Sequence, residues 1–376
     1  MTDVLIAGGG TGGHLFPGIA VAQEVRRRSP DARVLFVGTV RGIETRAVPK
    51  AGFDLALLPV SGLRRKGISG LVVGLVRLPL AIIGALRLVR RFRPQVAVSV
   101  GGYAAGPAIL AARLLGVPCV VMEQNAIPGL TNRLLARLAR CILAGLPPRG
   151  FPMHKVRVVG NPVRADLLAV RDSQYELHAP LRLLLVGGSQ GARALNELMI
   201  AVAPRLSESG LALRILHQTG TADLTRVAAA YRAASLAEAE ARAFIDDMAT
   251  AYRDADLVLC RAGASTIAEL TVCGRPSILV PYPFAVDDHQ TANARTLADA
   301  GAAIQISQEE LTPDRLLQTL RELAGDRQRL EGMAARARQA GKPDSAATIV
   351  SVLESESRGP RSAPNRAAAT PSREGR

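Results

Sequence analysis

At 376 residues the chain has room for roughly two to two and a half domains, each with a full hydrophobic core. A content of 48% hydrophobic and 21% charged residues excludes disorder or coiled coil as the main architecture. Aromatic residues at 3% with no Trp argue against a base-stacking surface for single-stranded nucleic acid. Lys and Arg number 47 against 32 Asp and Glu, a net charge of +15. That excess points to an anionic partner, unless it reflects a general richness in Arg.

Apolar runs alternate with helix-like segments from the start. In the first half, strands are expected at 4–7, 34–37, 96–100, 117–122 and 141–144, with helices at 18–28, 106–115 and 130–140. The pattern then restarts, with strands at 181–186, 213–216, 257–260 and 277–281. Continuous apolar strands alternating with helices imply parallel sheets covered on both faces. The expected fold is α/β, with two Rossmann-like doubly wound domains. Their expected extents are 1–163 and 164–340, and 358–376 reads as a disordered basic tail.

The four cysteines, Cys119, Cys141, Cys260 and Cys273, form no CxxC pair. Three lie in or beside apolar runs, as expected of buried free thiols in a reducing cytoplasm. The first residues lack the basic region of a signal peptide. The apolar stretch 71–86 is broken by Arg77 and Pro79 and is short for a membrane span. Arg64, Arg65 and Lys66 precede it, and Arg87, Arg90, Arg91 and Arg93 follow. Segment 63–93 therefore reads as an amphipathic surface that dips into an anionic bilayer. A buried helix with snorkelling arginines is the plainer alternative.

Several loops carry chemistry. Gly8-Gly9-Gly10-Thr11-Gly12-Gly13 satisfies GxGxxG between a strand and a helix. A nicotinamide site also wants an acid at the end of the second strand, where Val37-Gly38-Thr39 offers none. The loop still suits a phosphate or diphosphate. His14 follows at a helix start, whose positive end keeps an imidazole neutral and fit to act as a general base; a capping or packing role is the alternative. A second glycine loop, Gly101-Gly102-Tyr103-Ala104-Ala105-Gly106, repeats the arrangement. Gly187-Gly188-Ser189-Gln190-Gly191 matches the nucleophile elbow of hydrolases, with His217 or His289 and Asp246, Asp247, Asp287 or Asp288 as partners. Equally, Ser189 and its amides suit a phosphate. Against the hydrolase, the elbow's strand opens the second half rather than sitting mid-sheet. Gly263-Ala264-Ser265-Thr266 leads to Glu269, either a capping box from Thr266 to Glu269 or a diphosphate-facing helix start with Glu269 on a ribose. Asp254-Ala255-Asp256 formally matches a metal motif but reads as a solvated turn, and no metal site is expected.

Together these motifs resemble the undecaprenyldiphospho-muramoylpentapeptide β-N-acetylglucosaminyltransferases of bacterial cell-wall synthesis. The resemblance covers about 1–355 and rests also on Glu123-Gln124-Asn125-Ala126-Ile127-Pro128-Gly129, Gly160-Asn161-Pro162-Val163-Arg164, Phe244-Ile245-Asp246-Asp247-Met248 and His289-Gln290. It implies a GT-B fold, two domains facing across a cleft, with 341–357 returning to the first. It implies transfer of GlcNAc from UDP-GlcNAc to the 4-hydroxyl of MurNAc in lipid I, giving lipid II with inversion and no cofactor. The implied donor contacts are Thr11, Gly12, Gly13, Asn125, Arg164, Ser189, Ile245, Thr266, Glu269 and Gln290. His14 is the expected base. Gly10, Gly102, Tyr103 and Gly106 are the expected loops for the acceptor diphosphate. The family often has two Gln where this chain has His289-Gln290. The implied setting is the cytoplasmic face of the plasma membrane, with cell-wall synthesis and division proteins as candidate partners and no nucleic acid. A hydrolase using Ser189, or a non-enzymatic peripheral membrane or nucleotide-sensing protein, are the competing readings.

Overall fold

The computed structural model describes residues 2–40, 42–60, 67–188 and 191–358, the side chains of 67–78 excepted. The first half contains strands β1 (Val4–Gly8), β2 (Val34–Thr39), β3 (Asp54–Leu58), β4 (Val96–Gly101), β5 (Cys119–Glu123), β6 (Cys141–Ala144) and β7 (Val156–Val158). They form one parallel sheet in the order β3-β2-β1-β4-β5-β6-β7. Helices α1 (Gly12–Arg28), α2 (Glu44–Lys50), α3 (Gly67–Phe92), α4 (Ala105–Leu114) and α5 (Leu130–Leu135) connect them, and α6 (Ala165–Arg171) leads onward. The second sheet contains β8 (Leu181–Val186), β9 (Leu213–Gln218), β10 (Ala239–Arg242), β11 (Leu257–Cys260), β12 (Ser277–Leu279) and β13 (Ala303–Gln305). It too is parallel, in the order β10-β9-β8-β11-β12-β13. Its helices are α7 (Arg193–Glu208), α8 (Leu224–Ala233), α9 (Met248–Asp254), α10 (Ala264–Cys273), α11 (His289–Asp299), α12 (Pro313–Gly325) and α13 (Arg327–Ala340), and α14 (Ser345–Arg358) ends the described chain. These are two doubly wound sheets, the architecture that the alternation of runs implies.

Of the thirteen strands among the described residues, nine coincide with the expected ones. The other four, β3, β7, β10 and β13, are the four sheet edges. An edge strand is half solvated and need not carry a long apolar run, as in β10, Ala-Glu-Ala-Arg; β3, Asp-Leu-Ala-Leu-Leu, has such a run that the expected strands do not include. Helix α1 starts at Gly12, six residues before the expected start, because fully buried Leu15 anchors its first turns. Helix α5 stops at Leu135, five residues early. The Lys155 ammonium takes up the freed carbonyls of Ala136, Arg137 and Ala139 at 3.3, 3.4 and 2.9 Å.

The final helix crosses back. Ile349, Val350, Val352 and Leu353 of α14 are buried in the first sheet's core with Val4, Ile6, Leu15 and Val21. Each such side chain contributes about 1.5–3 kcal/mol of burial. Arg28 donates to the Ala347 carbonyl (2.8 Å), and Ser345 to that of Gly160 (2.8 Å). The four cysteines are free and buried. No helix among the described residues is long and apolar enough to cross a membrane.

Candidate active site

In parallel sheets, the loops after the strands and the following helix N-termini gather at one edge. Here the edges of the two sheets meet. Helices α1 and α10, one from each, are in contact. Both begin on glycine-led turns without a side-chain cap, after Thr11 and Gly263. Their first amide groups therefore remain available for an anion.

His14 lies in the first turn of α1, its Nδ1 3.1 Å from Thr11 Oγ1. Its pKa is lowered, chiefly by burial; Glu123 opposes the shift and His289, from the second sheet, adds to it. Desolvation thus favours the expected neutral imidazole. Gly9 N–H donates to the Gly101 carbonyl (3.2 Å). A Cβ at Gly102 would lie 2.5 Å from the Gly9 oxygen, so the two glycine loops pack backbone on backbone. Tyr103 is exposed beside them, and Gly106 lies in the first turn of α4.

An acid does reach the end of β2, though not from the strand. Glu44, in the first turn of α2, is fully buried. Its Oε1 accepts from Thr39 N–H (2.8 Å) and Thr39 Oγ1 (2.9 Å), and its Oε2 from Gly10 N–H (2.9 Å). The Gly10 amide is therefore engaged within the protein and is not open to a diphosphate, while Gly12 and Gly13 lie at the N-terminus of α1.

Glu123 ends β5, almost wholly buried. Its carboxylate accepts from Asn125 N–H and Nδ2 (3.1 and 3.2 Å), Gly129 N–H (3.2 Å) and Asn132 Nδ2 (2.9 Å). Asn132 also accepts from Ser99 Oγ (2.7 Å). This network holds Asn125 at the domain junction. There the buried Asn293 of α11 donates to Asn125 Oδ1 (3.1 Å) and to the Ala262 carbonyl (3.1 Å), and accepts from Ala126 N–H (2.8 Å). Asn161 Nδ2 donates to the Gln124 carbonyl (3.0 Å) and, across the junction, to that of Ala264 (3.4 Å). An Arg133–Asp287 ion pair at 3.1 Å adds a third tie.

On the second sheet, Gly263 is the N-cap of α10, so Thr266 sits three residues inside and cannot open a capping box with Glu269. Glu269 instead accepts from the Tyr252 hydroxyl (2.9 Å). Its pKa is raised, chiefly by burial, against the Tyr252 hydrogen bond and the charge of Arg164. Arg164 itself pairs with Asp166 at 3.2 Å. Ile245 N–H donates to Gln218 Oε1 (2.9 Å), and Gln218 Nε2 to the Gly188 carbonyl (2.8 Å). Gln290 Oε1 accepts from Tyr282 N–H (2.9 Å). His289 Nδ1 donates to the Val286 carbonyl (2.7 Å). Ser189 lies outside the described residues.

Two expectations need correction. Strand β8 is third of six, so its glycine loop is mid-sheet and the positional argument against a hydrolase fails. The chemistry does not supply a triad through His217, however. That ring is fully buried, with Nδ1 2.8 Å from Tyr231 Oη and Nε2 3.0 Å from Asn196 Oδ1, and burial lowers its pKa to about 3. Asp256 is not solvated: it is fully buried and accepts from His178 Nδ1 (2.8 Å) and Arg182 N–H (2.7 Å). Among the described residues no group of three or more His, Cys, Asp or Glu could hold a metal.

Glu44, Glu123, Gln218 and Asn293 were not singled out as site residues. Glu123 had a readable signal, a lone acid closing an apolar strand. The other three had none: Gln218 and Asn293 bond to residues distant in the chain, and Glu44 joins nearby Thr39 to distant Gly10.

The glycosyltransferase family 28 N-terminal domain model matches residues 4–144, and the C-terminal domain model of the same family matches 182–349. The UDP-N-acetylglucosamine–N-acetylmuramyl-(pentapeptide) pyrophosphoryl-undecaprenol N-acetylglucosamine transferase of Myxococcus xanthus is 48% identical over 354 residues, 94% of this chain and 92% of that one. The protein of the same name from Nitratidesulfovibrio vulgaris (strain Miyazaki F) is 45% identical over 94% and 97% of the two chains. The crystal structure of Acinetobacter baumannii MurG superposes with a TM-score of 0.79 at 35% identity, covering 94% of this chain and all of that one.

Proposed function

The chain belongs to the family of UDP-N-acetylglucosamine–N-acetylmuramyl-(pentapeptide) pyrophosphoryl-undecaprenol N-acetylglucosamine transferases, and from that premise we infer that it moves GlcNAc from UDP-GlcNAc to the MurNAc of lipid I, giving lipid II for peptidoglycan. The observation that carries the assignment of parts is the meeting of α1 and α10. One presents an uncapped N-terminus with His14, the other an uncapped N-terminus with Glu269 one turn in.

The reaction is an inverting displacement. The acceptor 4-oxygen forms its bond to the anomeric carbon as the bond to the donor diphosphate breaks, and UDP departs with the electron pair. His14 takes the acceptor's proton: with Nδ1–H turned to Thr11 Oγ1, Nε2 carries the lone pair, and the lowered pKa keeps it available. The first amides of α10 offset the charge growing on the diphosphate. Glu269, steadied by the Tyr252 hydroxyl, accepts from the ribose. Arg164, Ile245, Thr266 and Gln290 line the donor side, with Thr11, Gly12, Gly13 and Asn125 reaching it from the first half. The Gly102, Tyr103 and Gly106 loop receives the acceptor diphosphate, without the Gly10 amide. Residues 164–340 form the donor domain, and 1–163 with 341–357 the acceptor domain.

The lipid substrate requires a membrane, and α3 suits one. Ala81, Ala85 and Val89 face the core, while Leu80 and Ile83 are 61% and 45% exposed and Arg87, Arg90 and Arg91 follow on the outside. The segment 63–66 and the side chain of Arg77 lie outside the described residues. Peripheral docking on an anionic leaflet is the reading that fits.

A donor screen tests the function directly. UDP release should need both lipid I and UDP-GlcNAc, with UDP-GalNAc a poor substitute. Esterase turnover, or UDP release indifferent to lipid, would sink the reading.

A further inference from the structure

The first glycine loop is held by a carboxylate of its own. Three glycines leave the space for it: a Cβ at Gly9 would lie 2.7 Å from the Glu44 carboxylate, one at Gly38 2.5 Å from Glu44 Cγ, and one at Gly42 would overlap the carboxylate. The two oxygens divide their work. Oε1 takes both donors of Thr39 at the end of β2, and Oε2 takes Gly10 N–H alone. Gly10 precedes Thr11, the N-cap of α1. The Thr11 carbonyl accepts from His14 N–H (3.3 Å) and Leu15 N–H (3.2 Å), and its hydroxyl lies 3.1 Å from His14 Nδ1. The chain of contacts from Glu44 to the His14 ring is therefore short and has no free joint.

We propose that Glu44 is a positioning residue for the transfer reaction, tying the Gly8–Gly13 loop to the end of β2 and thereby setting where the His14 imidazole meets the acceptor. This rests on the transferase reading above. Glu44 touches no reacting atom; it acts through Gly10 and Thr11. Its ionised form is the working one. Burial pushes its pKa up, but hydrogen bonds from Thr39 and Gly10 outweigh that, and the net shift is downward.

Glu44→Gln separates the two ties. An amide has one accepting oxygen, and the two Thr39 donors claim it, so the NH2 is left facing Gly10 N–H and the loop is released while the strand end stays held. The expected result is a kcat with lipid I reduced about 10- to 100-fold and a smaller rise in donor KM, since Thr11, Gly12 and Gly13 reach the donor from the released loop while its other contacts lie on the other sheet. Hydrogen exchange should quicken in the peptide carrying Gly10 to His14 and stay slow in β2. The acid limb of the kcat profile, which reports His14, should shift. A purely structural Glu44 would lower the melting temperature and leave kcat per folded molecule, loop exchange and pH profile unchanged; that result overturns the proposal. Should the Gln variant not fold, Glu44→Asp, which keeps the charge but falls one methylene short of Gly10, is read the same way. Wild-type turnover of UDP-GlcNAc with lipid I is the control. Its absence defeats the transferase reading; its presence with an unimpaired Glu44 variant defeats this inference alone.

Discussion

His14, Glu269 and the cysteines show burial acting on single titrating groups with different consequences. His14→Ala should lower kcat by about 10²–10⁴-fold with little change in donor affinity, because a general base acts only in the transition state. Steady-state kinetics with kcat near wild type would move the base elsewhere. Glu269 is raised by burial and held down by Tyr252. Tyr252→Phe removes that restraint, so the acid limb of kcat/KM for the donor should move to higher pH; a limb that moves lower or stays put contradicts an ionised Glu269 on the ribose. The thiols are pushed up by burial, Cys119 and Cys273 to about 12 and Cys141 to about 11. Thiolate is the reactive form, so labelling at pH 8 should wait for unfolding at all four positions. Immediate labelling of the native protein would show the sites to be open.

At the scale of elements, α3 divides its two faces most sharply. Its described inner row is Ala81, Ala85 and Val89, and its outer surface passes from Leu80 and Ile83 to Arg87, Arg90 and Arg91. Replacing these three arginines by Gln should weaken binding to anionic vesicles, each basic residue contributing about 1 kcal/mol near the surface. Lipid I turnover should fall with it, while a short water-soluble acceptor should be processed normally. A triple variant that still sediments with vesicles would place docking elsewhere. The edge strands teach a related lesson. Polar residues that suit a half-solvated edge also hide it from pattern reading, so β7, β10 and β13 emerge only when the central strands have paired.

For the whole molecule, the decisive contacts join the two sheets. Asn293 satisfies three groups from two regions, Asn125, Ala126 and Ala262. Asn293→Ala strands the Ala126 N–H among buried atoms, which costs about 1–3 kcal/mol. It also frees Asn125 from its hold on the second sheet. The variant should melt at lower temperature and show a reduced kcat with lipid I even where calorimetry shows it fully folded. Wild-type kcat in a destabilised Asn293→Ala would reduce the residue to a structural fastener. Helix α14 is the covalent counterpart, burying Ile349 and Leu353 in the core of the sheet formed by the chain's other end.

The sequence by itself determined the two parallel sheets, because buried central strands must be apolar throughout, and it marked the glycine loops, because only glycine lets a backbone turn that closely. His14 and Glu269 were legible as residues at helix starts. Their environments were not. Whether Glu269 capped its own helix or faced a cleft turned on Gly263 being the N-cap. Whether an acid stood at the end of β2 turned on Glu44 folding back from α2. Whether His217 was a base or a packing residue turned on Tyr231 and Asn196 enclosing it. Periodicity reports which face of an element is dry, over a span of a few residues. Pairings such as Asn125 with Asn293, 168 residues apart, leave no such local mark, so only the folded chain could decide them.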